Sequence, residues 1–212
     1  MNRIASRYPT RLLRSYAQVK IATDPAYNAV FELLRDTTDP LLDIGCGVGL
    51  LDFYLRHRGV QVPILGIDHD RRKIEIARRV ANDSEDLSFD VRDAREPFAF
   101  RGNVVLLDLL HYFSHQDQSR ILRNVACAGG MIIIRDGIRD GSLRYRLTYA
   151  QETLARMGGW LKAERLCFPT RETIEDSLNG EFREEVRPMF GHTPFNNYLF
   201  VFKRASAGMM NP

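Results

Sequence analysis

Three glycines at alternate positions, in Leu41-Leu42-Asp43-Ile44-Gly45-Cys46-Gly47-Val48-Gly49-Leu50-Leu51, limit what this chain can fold into more than any other feature. Leu41 and Leu42 follow Pro40 as the short apolar run of a central strand. Beyond the glycines, Leu50-Leu51-Asp52-Phe53-Tyr54-Leu55 reads as the opening of a helix. Glycine permits a sharp turn between the two and leaves bare N–H groups that can approach a ligand closely. A pyrophosphate-binding loop would read G-x-G-x-x-G, but Leu50 stands where its third glycine belongs. Asp43, two residues before the turn, places a carboxylate at the mouth of the site. That charge repels a pyrophosphate and suits a ligand carrying an ammonium group.

D-x-G-x-G-x-G after a strand closely resembles motif I of the class I S-adenosylmethionine (SAM) methyltransferases. The resemblance implies SAM as cofactor, S-adenosylhomocysteine as product and no metal. It also implies cofactor contacts from Asp43, Gly45, Cys46, Gly47 and Gly49. Farther along, Val62-Pro63-Ile64-Leu65-Gly66-Ile67-Asp68 is a second strand ending in an acid. Asp68 lies 19 residues beyond Gly49, close to the spacing at which a carboxylate accepts both ribose hydroxyls of an adenine nucleoside. An acid there also serves simply to cap the helix from Asp70 to Val80. His69 then stands near the ligand as a packing residue.

Leu87-Ser88-Phe89-Asp90-Val91 alternates apolar and polar residues as a third strand and leads into Asp93 and Ala94. The family commonly carries an Asp-Ala pair here, with the acid accepting from the adenine amine and the alanine N–H facing the ring. Asn103 to Leu110 is a fourth strand, with His111-Tyr112-Phe113 at its carboxyl end, where open parallel sheets bind ligands. Asp108-Leu109-Leu110-His111 resembles the D-x-x-H of small-molecule methyltransferases, which adds Asp108 to the cofactor set. The [DN]-P-P-[FY] signature of many nucleic-acid and glutamine N-methyltransferases is missing. His111 is the first candidate for a general base and Tyr112 the second. His111 and His115 are four apart, but a metal site needs a third ligand.

Gln116 to Ala128 reads as a helix stopped by Gly129-Gly130, and Met131 to Asp136 as a fifth strand. Arg135 and Asp136 at its end either bind substrate or pair with each other. Leu143, Tyr145, Arg146, Tyr149 and Leu154 suggest an amphipathic helix before Gly158-Gly159-Trp160, with Tyr145 and Tyr149 as candidate substrate contacts. Thr170 to Leu178 suggests another helix, Gly180-Glu181-Phe182 a turn into a sixth strand, and Asn197 to Lys203 a final strand.

Strands alternating with helices five times, followed by a hairpin-like pair, define an α/β doubly wound sheet. By the resemblance it has seven mainly parallel strands, the last antiparallel. The SAM-binding domain is expected over 40–204 and a flexible tail over 205–212. Residues 1–39 lie outside the resemblance and form an expected helical cap or lid. There Leu12, Leu13, Tyr16 and Val19 fall at helical spacing, and Asp24-Pro25 reads as a helix start. Arg3, Arg7, Arg11, Arg14 and Lys20 make a basic face. It is a simply solvated face, a lid from which Arg14 or Lys20 meets a carboxylate of cofactor or substrate, or a weak membrane-surface contact.

At 212 residues, 44% apolar and 27% charged, the chain suits one domain with a full core. A net charge of +3 is too small to argue for nucleic-acid binding. Cys46, Cys127 and Cys167 are odd in number and far apart, which fits a reducing cytoplasm better than disulfides or zinc. No apolar run approaches the roughly 18–20 residues of a transmembrane helix, and the arginine-rich start lacks a signal-peptide core. The expected reaction is methyl transfer from SAM to a small or carrier-bound acceptor, partly apolar or aromatic. A nucleic-acid or protein methyltransferase, and a SAM- or adenine-nucleoside-binding protein without catalysis, stand as alternatives. The acceptor atom and the oligomeric state stay open.

Overall fold

The computed structural model describes residues 2–81, 86–157, 166–178, 182–191 and 193–204. The expected Gly158-Gly159-Trp160 break, the Gly180-Glu181 turn and the 205–212 tail lie outside the described residues. Seven strands run in the sheet order β3-β2-β1-β4-β5-β7-β6, and the chain divides into two units, one up to Glu96 and one from Pro97.

In the first unit, β1 (Leu41–Ile44), β2 (Ile64–Asp68) and β3 (Leu87–Val91) pair in parallel, β2 in the middle. Leu41, Leu42 and Ile44 are buried, each side chain contributing roughly 2 kcal/mol of apolar burial. Helix α4 (Leu50–His57) buries Leu50, Leu51, Phe53, Tyr54 and Leu55. The Arg56 guanidinium then donates to the carbonyls of Val60, Val62 and Asp86, tying the loops before β2 and β3 together. In α5 (Arg71–Ala81) Ile74, Ala77, Val80 and Ala81 are inward and the arginines outward. Asp70, with its carboxylate accepting from Arg72 N–H at 3.0 Å, caps that helix.

Three helices precede β1: α1 (Asn2–Ala5), α2 (Arg11–Thr23) and α3 (Pro25–Leu34). Asp24 caps α3 as its sequence predicts, accepting from Ala26 N–H at 2.9 Å with Pro25 in the first turn. The apolar stripe of α2 does not face inward: Leu12 is 66% and Val19 61% exposed, while Ala17 and Ile21 are buried. A 2.7 Å bond from Arg14 Nε to the Tyr8 carbonyl fixes the rotation of this helix, and Lys20 pairs with Asp24. Both proposed lid cations therefore hold the backbone or a helix cap.

In the second unit, β4 (Gly102–Leu107) is parallel to β5 (Gly129–Gly137). On the other side of β5, β7 (Asn197–Arg204) is antiparallel to it, and β6 (Phe182–Pro188) is antiparallel to β7. Ile132, Ile133, Ile134, Phe200 and Phe202 form its centre. The expected fourth strand is shorter than read. It stops at Leu107, Asp108 adopts φ 54°, and Leu110–Tyr112 winds into a 3₁₀ turn.

Helix α6 (His115–Ala126) ends before Gly129-Gly130, which are not a helix stop but the start of β5. A Cβ at Gly130 would lie 2.1 Å from the Gly102 carbonyl oxygen, so strand proximity requires glycine there. Helix α7 (Leu143–Met157) leaves Leu143, Leu147, Tyr149 and Leu154 exposed and buries Thr148, so its stripe, too, is not core. Helix α8 (Arg171–Leu178) follows, with Thr170 accepting from Thr173 N–H. Among the described residues no helix is long and apolar enough to cross a membrane.

Candidate functional site

The glycine turn between β1 and α4 is built from backbone. Gly45, Gly47 and Gly49 take φ of 80°, 59° and 76°, the left-handed region that L side chains rarely adopt. Gly45 and Cys46 N–H groups donate to the Ile67 carbonyl at 2.7 and 3.1 Å, closing the turn onto the end of β2. Gly47 N–H donates to Asp68 Oδ2 at 3.0 Å, and Asp70 N–H donates to Oδ1 at 2.8 Å. Each carboxylate oxygen keeps a further lone pair for a hydroxyl. No atom lies within 4 Å of a Cβ at Gly47, whereas one at Gly49 would meet the Phe89 ring at 2.7 Å. The turn is therefore open at its tip and tightly backed below. Gly49 precedes α4 without a side-chain cap, leaving that helix's first N–H groups unmet by a side chain.

Two acids sit beneath the turn. Asp43 and Asp52 are both buried and bond to each other through their side chains, which requires one of the two to carry a proton. Burial pushes Asp52 up to about 7, and burial together with the neighbouring Asp52 raises Asp43 well above the carboxylate range. Burial likewise raises the Cys46 thiol. Tyr8 of the N-terminal segment, with no signal in the sequence to mark it, donates from its hydroxyl to the Val48 carbonyl at 3.2 Å. Its ring meets Phe53 edge-on.

The remaining first-unit candidates are at the strand ends. His69 is exposed, with Nδ1 3.4 Å from Asp68 Oδ1. Ala94 is buried. Asp93 is gripped by Arg95, whose Nε lies 2.9 and 3.0 Å from the two oxygens, and these bonds lower the Asp93 carboxyl.

In the second unit the candidates converge on His111, which is 2% exposed. Its Nδ1 is 2.6 Å from Asp136 Oδ1, and Asp136 also accepts from the N–H groups of Leu110 and Gly137, both at 2.8 Å. Nε2 is buried without a hydrogen-bond partner, 3.9 Å from Glu152 Oε2. Burial lowers the imidazole pKa, but the Asp136 carboxylate outweighs it and the net shift is upward. Tyr112 donates to Glu152 at 3.2 Å, and burial followed by Glu152 raises its phenol far above the ordinary value. Phe168 stacks on His111 at 4.9 Å and touches Tyr145 and Tyr149 at 5.7 and 6.0 Å.

Arg135 and Asp136 do not pair with each other: Arg135 is buried against Asp108, and Asp136 holds His111. Neighbours on a strand point to opposite faces, so adjacency in sequence separates them. Glu152 and Phe168 are the residues sequence reasoning missed here, because nothing local distinguishes them from a helix acid and a loop aromatic. Among the described residues no group of three or more His, Cys, Asp or Glu is placed to hold a metal.

A family profile described as a methyltransferase domain matches residues 41–128. No curated protein sequence matches the chain. Among solved structures it is similar to the magnesium protoporphyrin IX methyltransferase of Synechocystis PCC 6803 with bound S-adenosylhomocysteine. The identity is 18%, covering 96% of this chain and 92% of that one, with a TM-score of 0.68. The N-methyltransferase NodS of Bradyrhizobium japonicum WM9 matches at 18% identity, covering 86% and 89%, with a TM-score of 0.62. The [4+2]-cyclase SpnF matches at 16%, covering 84% and 81%, with a TM-score of 0.61.

Proposed function

We propose that this chain, a class I methyltransferase in its domain and its fold, transfers the SAM methyl group to a small, partly apolar acceptor. The observation that carries the reading is the open, left-handed glycine turn bonded through Gly47 N–H to Asp68. The uncapped N-terminus of α4 leaves N–H groups for a carboxylate, and the buried Asp43 carboxyl, raised by burial and Asp52, takes up negative charge when an ammonium stands against it. Those are the two ends of the amino-acid part of SAM. Asp68 takes the ribose hydroxyls, and Asp93 and Ala94 the adenine. Tyr8, bonded to the turn, is the contribution of the N-terminal helical cap.

SAM brings an activated methyl group whose sulfonium needs no protonation to leave. On the acceptor side we assign Tyr145, Tyr149 and Phe168 to an aromatic face and His111 to the proton. Held at Nδ1 by Asp136, His111 is fixed in the tautomer that leaves Nε2 to receive a proton from an acceptor O–H or N–H. Tyr112, its phenol raised, stays neutral at physiological pH and acts as a donor to Glu152.

Calorimetric titration with SAM, S-adenosylhomocysteine and NAD tests the cofactor. Binding of the first two, absent with NAD and weakened by Asp68→Ala, is the expected result. NAD binding, or no binding, would overturn the reading. SAM binding without turnover in a broad acceptor screen would favour a nucleoside-binding role or other chemistry, as the cyclase on the same fold illustrates.

A further inference from the structure

A second constellation of the second unit adjoins the His111–Asp136 pair but uses other side chains. Cys167 Sγ is 3.2 Å from His115 Nε2, and His115 Nδ1 is 3.2 Å from Gln118 Oε1. Gln118 is fully buried, and its amide nitrogen donates to the carbonyls of Leu110, Phe113 and Cys167 at 3.0, 3.1 and 2.5 Å. Only the NH₂ end, its two hydrogens shared among the three, can face carbonyl oxygens, so the carboxamide has one allowed orientation, with Oε1 toward the imidazole. An amide oxygen only accepts. Nδ1 of His115 therefore carries hydrogen, and the Nε2 lone pair faces the thiol.

The thiol is also held in place and accessible. Leu166 and Phe168 on either side are buried, Cys167 N–H donates to the His111 carbonyl at 2.8 Å, and the Cys167 side chain is part-exposed. The two other cysteines lack this arrangement among the described residues: Cys46 is buried, and exposed Cys127 bonds the Arg123 carbonyl, at 3.4 Å.

We propose that Cys167 is a nucleophilic thiol, activated by His115 and oriented by Gln118, that exchanges with low-molecular-weight disulfides. The Cys167 S–H proton passes to His115 Nε2, and the thiolate attacks one sulfur of the disulfide. The Cys167 S–S bond forms as the original S–S bond breaks, and the departing thiolate recovers the proton from His115. The protein thiol ends as a mixed disulfide, one sulfur of the reagent ends reduced to a thiol, and excess thiol reverses the exchange. A site open at the surface suits a small soluble reagent, and the step requires no SAM and no acceptor.

The test is site-resolved mass spectrometry of the full chain at neutral pH, with oxidised glutathione and with an aromatic disulfide, taken over time. Cys167 is expected to be modified about tenfold faster than Cys127, since His115 Nε2 stands at Cys167 Sγ to take its proton whereas Cys127 Sγ faces a backbone carbonyl. His115→Ala and His115→Gln, both at an exposed position, should bring Cys167 down to the Cys127 rate, with circular dichroism unchanged. Cys167→Ser should remove the fast phase. A wild-type chain in which Cys127 reacts as fast as Cys167 overturns the proposal without recourse to any variant. Histidine variants that keep the fast phase overturn it equally.

Discussion

The glycine turn of the first unit and the His111 pocket of the second are organised by different parts of the chain. In the turn the backbone does the work: three left-handed residues aim N–H groups, and the carbonyl of Ile67 and the carboxylate of Asp68 lock them. In the pocket the backbone is ordinary apart from a 3₁₀ turn, and side chains supply the chemistry. His111, Asp136, Tyr112 and Glu152 come from three separate elements and hold one another. The two also handle buried charge differently. His111 faces carboxylates, whereas Asp52 lies beneath the turn against a second acid with which it shares a proton. The turn depends on its glycines and on the one carboxylate that locks it, whereas the pocket depends on side chains throughout.

The largest expected effect is in the pocket. His111→Ala should lower acceptor turnover by about 10²–10⁴-fold in steady-state kinetics while leaving SAM affinity unchanged. Because the imidazole pKa is raised, its base form is present only above an apparent pKa higher than that of an ordinary histidine. Asp136→Asn should move the acid limb of the pH–rate profile to lower pH, along with a fall in kcat. An unmoved limb would mean that His111 is structural and the contrast between the two regions false.

Next comes the buried acid pair. Asp52 titrates at about 7 when folded, against 3.8 for the ordinary group, so the folded chain holds its proton more tightly than the unfolded one. That contribution is complete below about pH 4 and is lost as pH rises to about 7, by at most about 4 kcal/mol. Urea denaturation across this range should show stability falling with pH, and Asp52→Asn should flatten the slope. A flat profile in the unsubstituted chain would place the pair in water.

Gly49→Ala sharpens the comparison from the backbone side. Its Cβ would press on Phe89 at a left-handed φ, so the expected loss is about 2–3 kcal/mol by chemical denaturation. SAM affinity should fall with it. Smallest of all, Val19→Ser on the exposed stripe of α2 should change stability by no more than about 0.5 kcal/mol in the same assay. A larger loss would show that this face is covered in solution.

Much of the first unit was legible because its signals are short. The apolar run of β1, the glycine spacing and the Asp24-Pro25 cap each fall within a few residues, and each is where the sequence places it. The second unit was legible as strands and helices but not as a site. Tyr112 meets Glu152 from 40 positions away, and Leu110 N–H meets Asp136 from 26 away, separations at which no periodicity operates. His111 and Tyr112 were found by their place at a strand end, while Glu152 and Phe168 had no such marker.

What the sequence determined by itself is the set of local conformations: where strands run apolar, where only glycine can turn, where a helix is capped. These depend on sterics and hydrogen bonds within about one helical turn or one strand pleat. The tertiary structure alone decided which helix faces are inward, so that Ala17 and Ile21 are buried while Leu12 and Val19 are not. It decided that Gly130 must pass a carbonyl of Gly102 rather than end a helix. It decided that Arg135 and Asp136, adjacent in the chain, serve different partners on opposite faces of one strand. Burial and charge pairing are properties of what lies across space, and sequence neighbours carry no record of it.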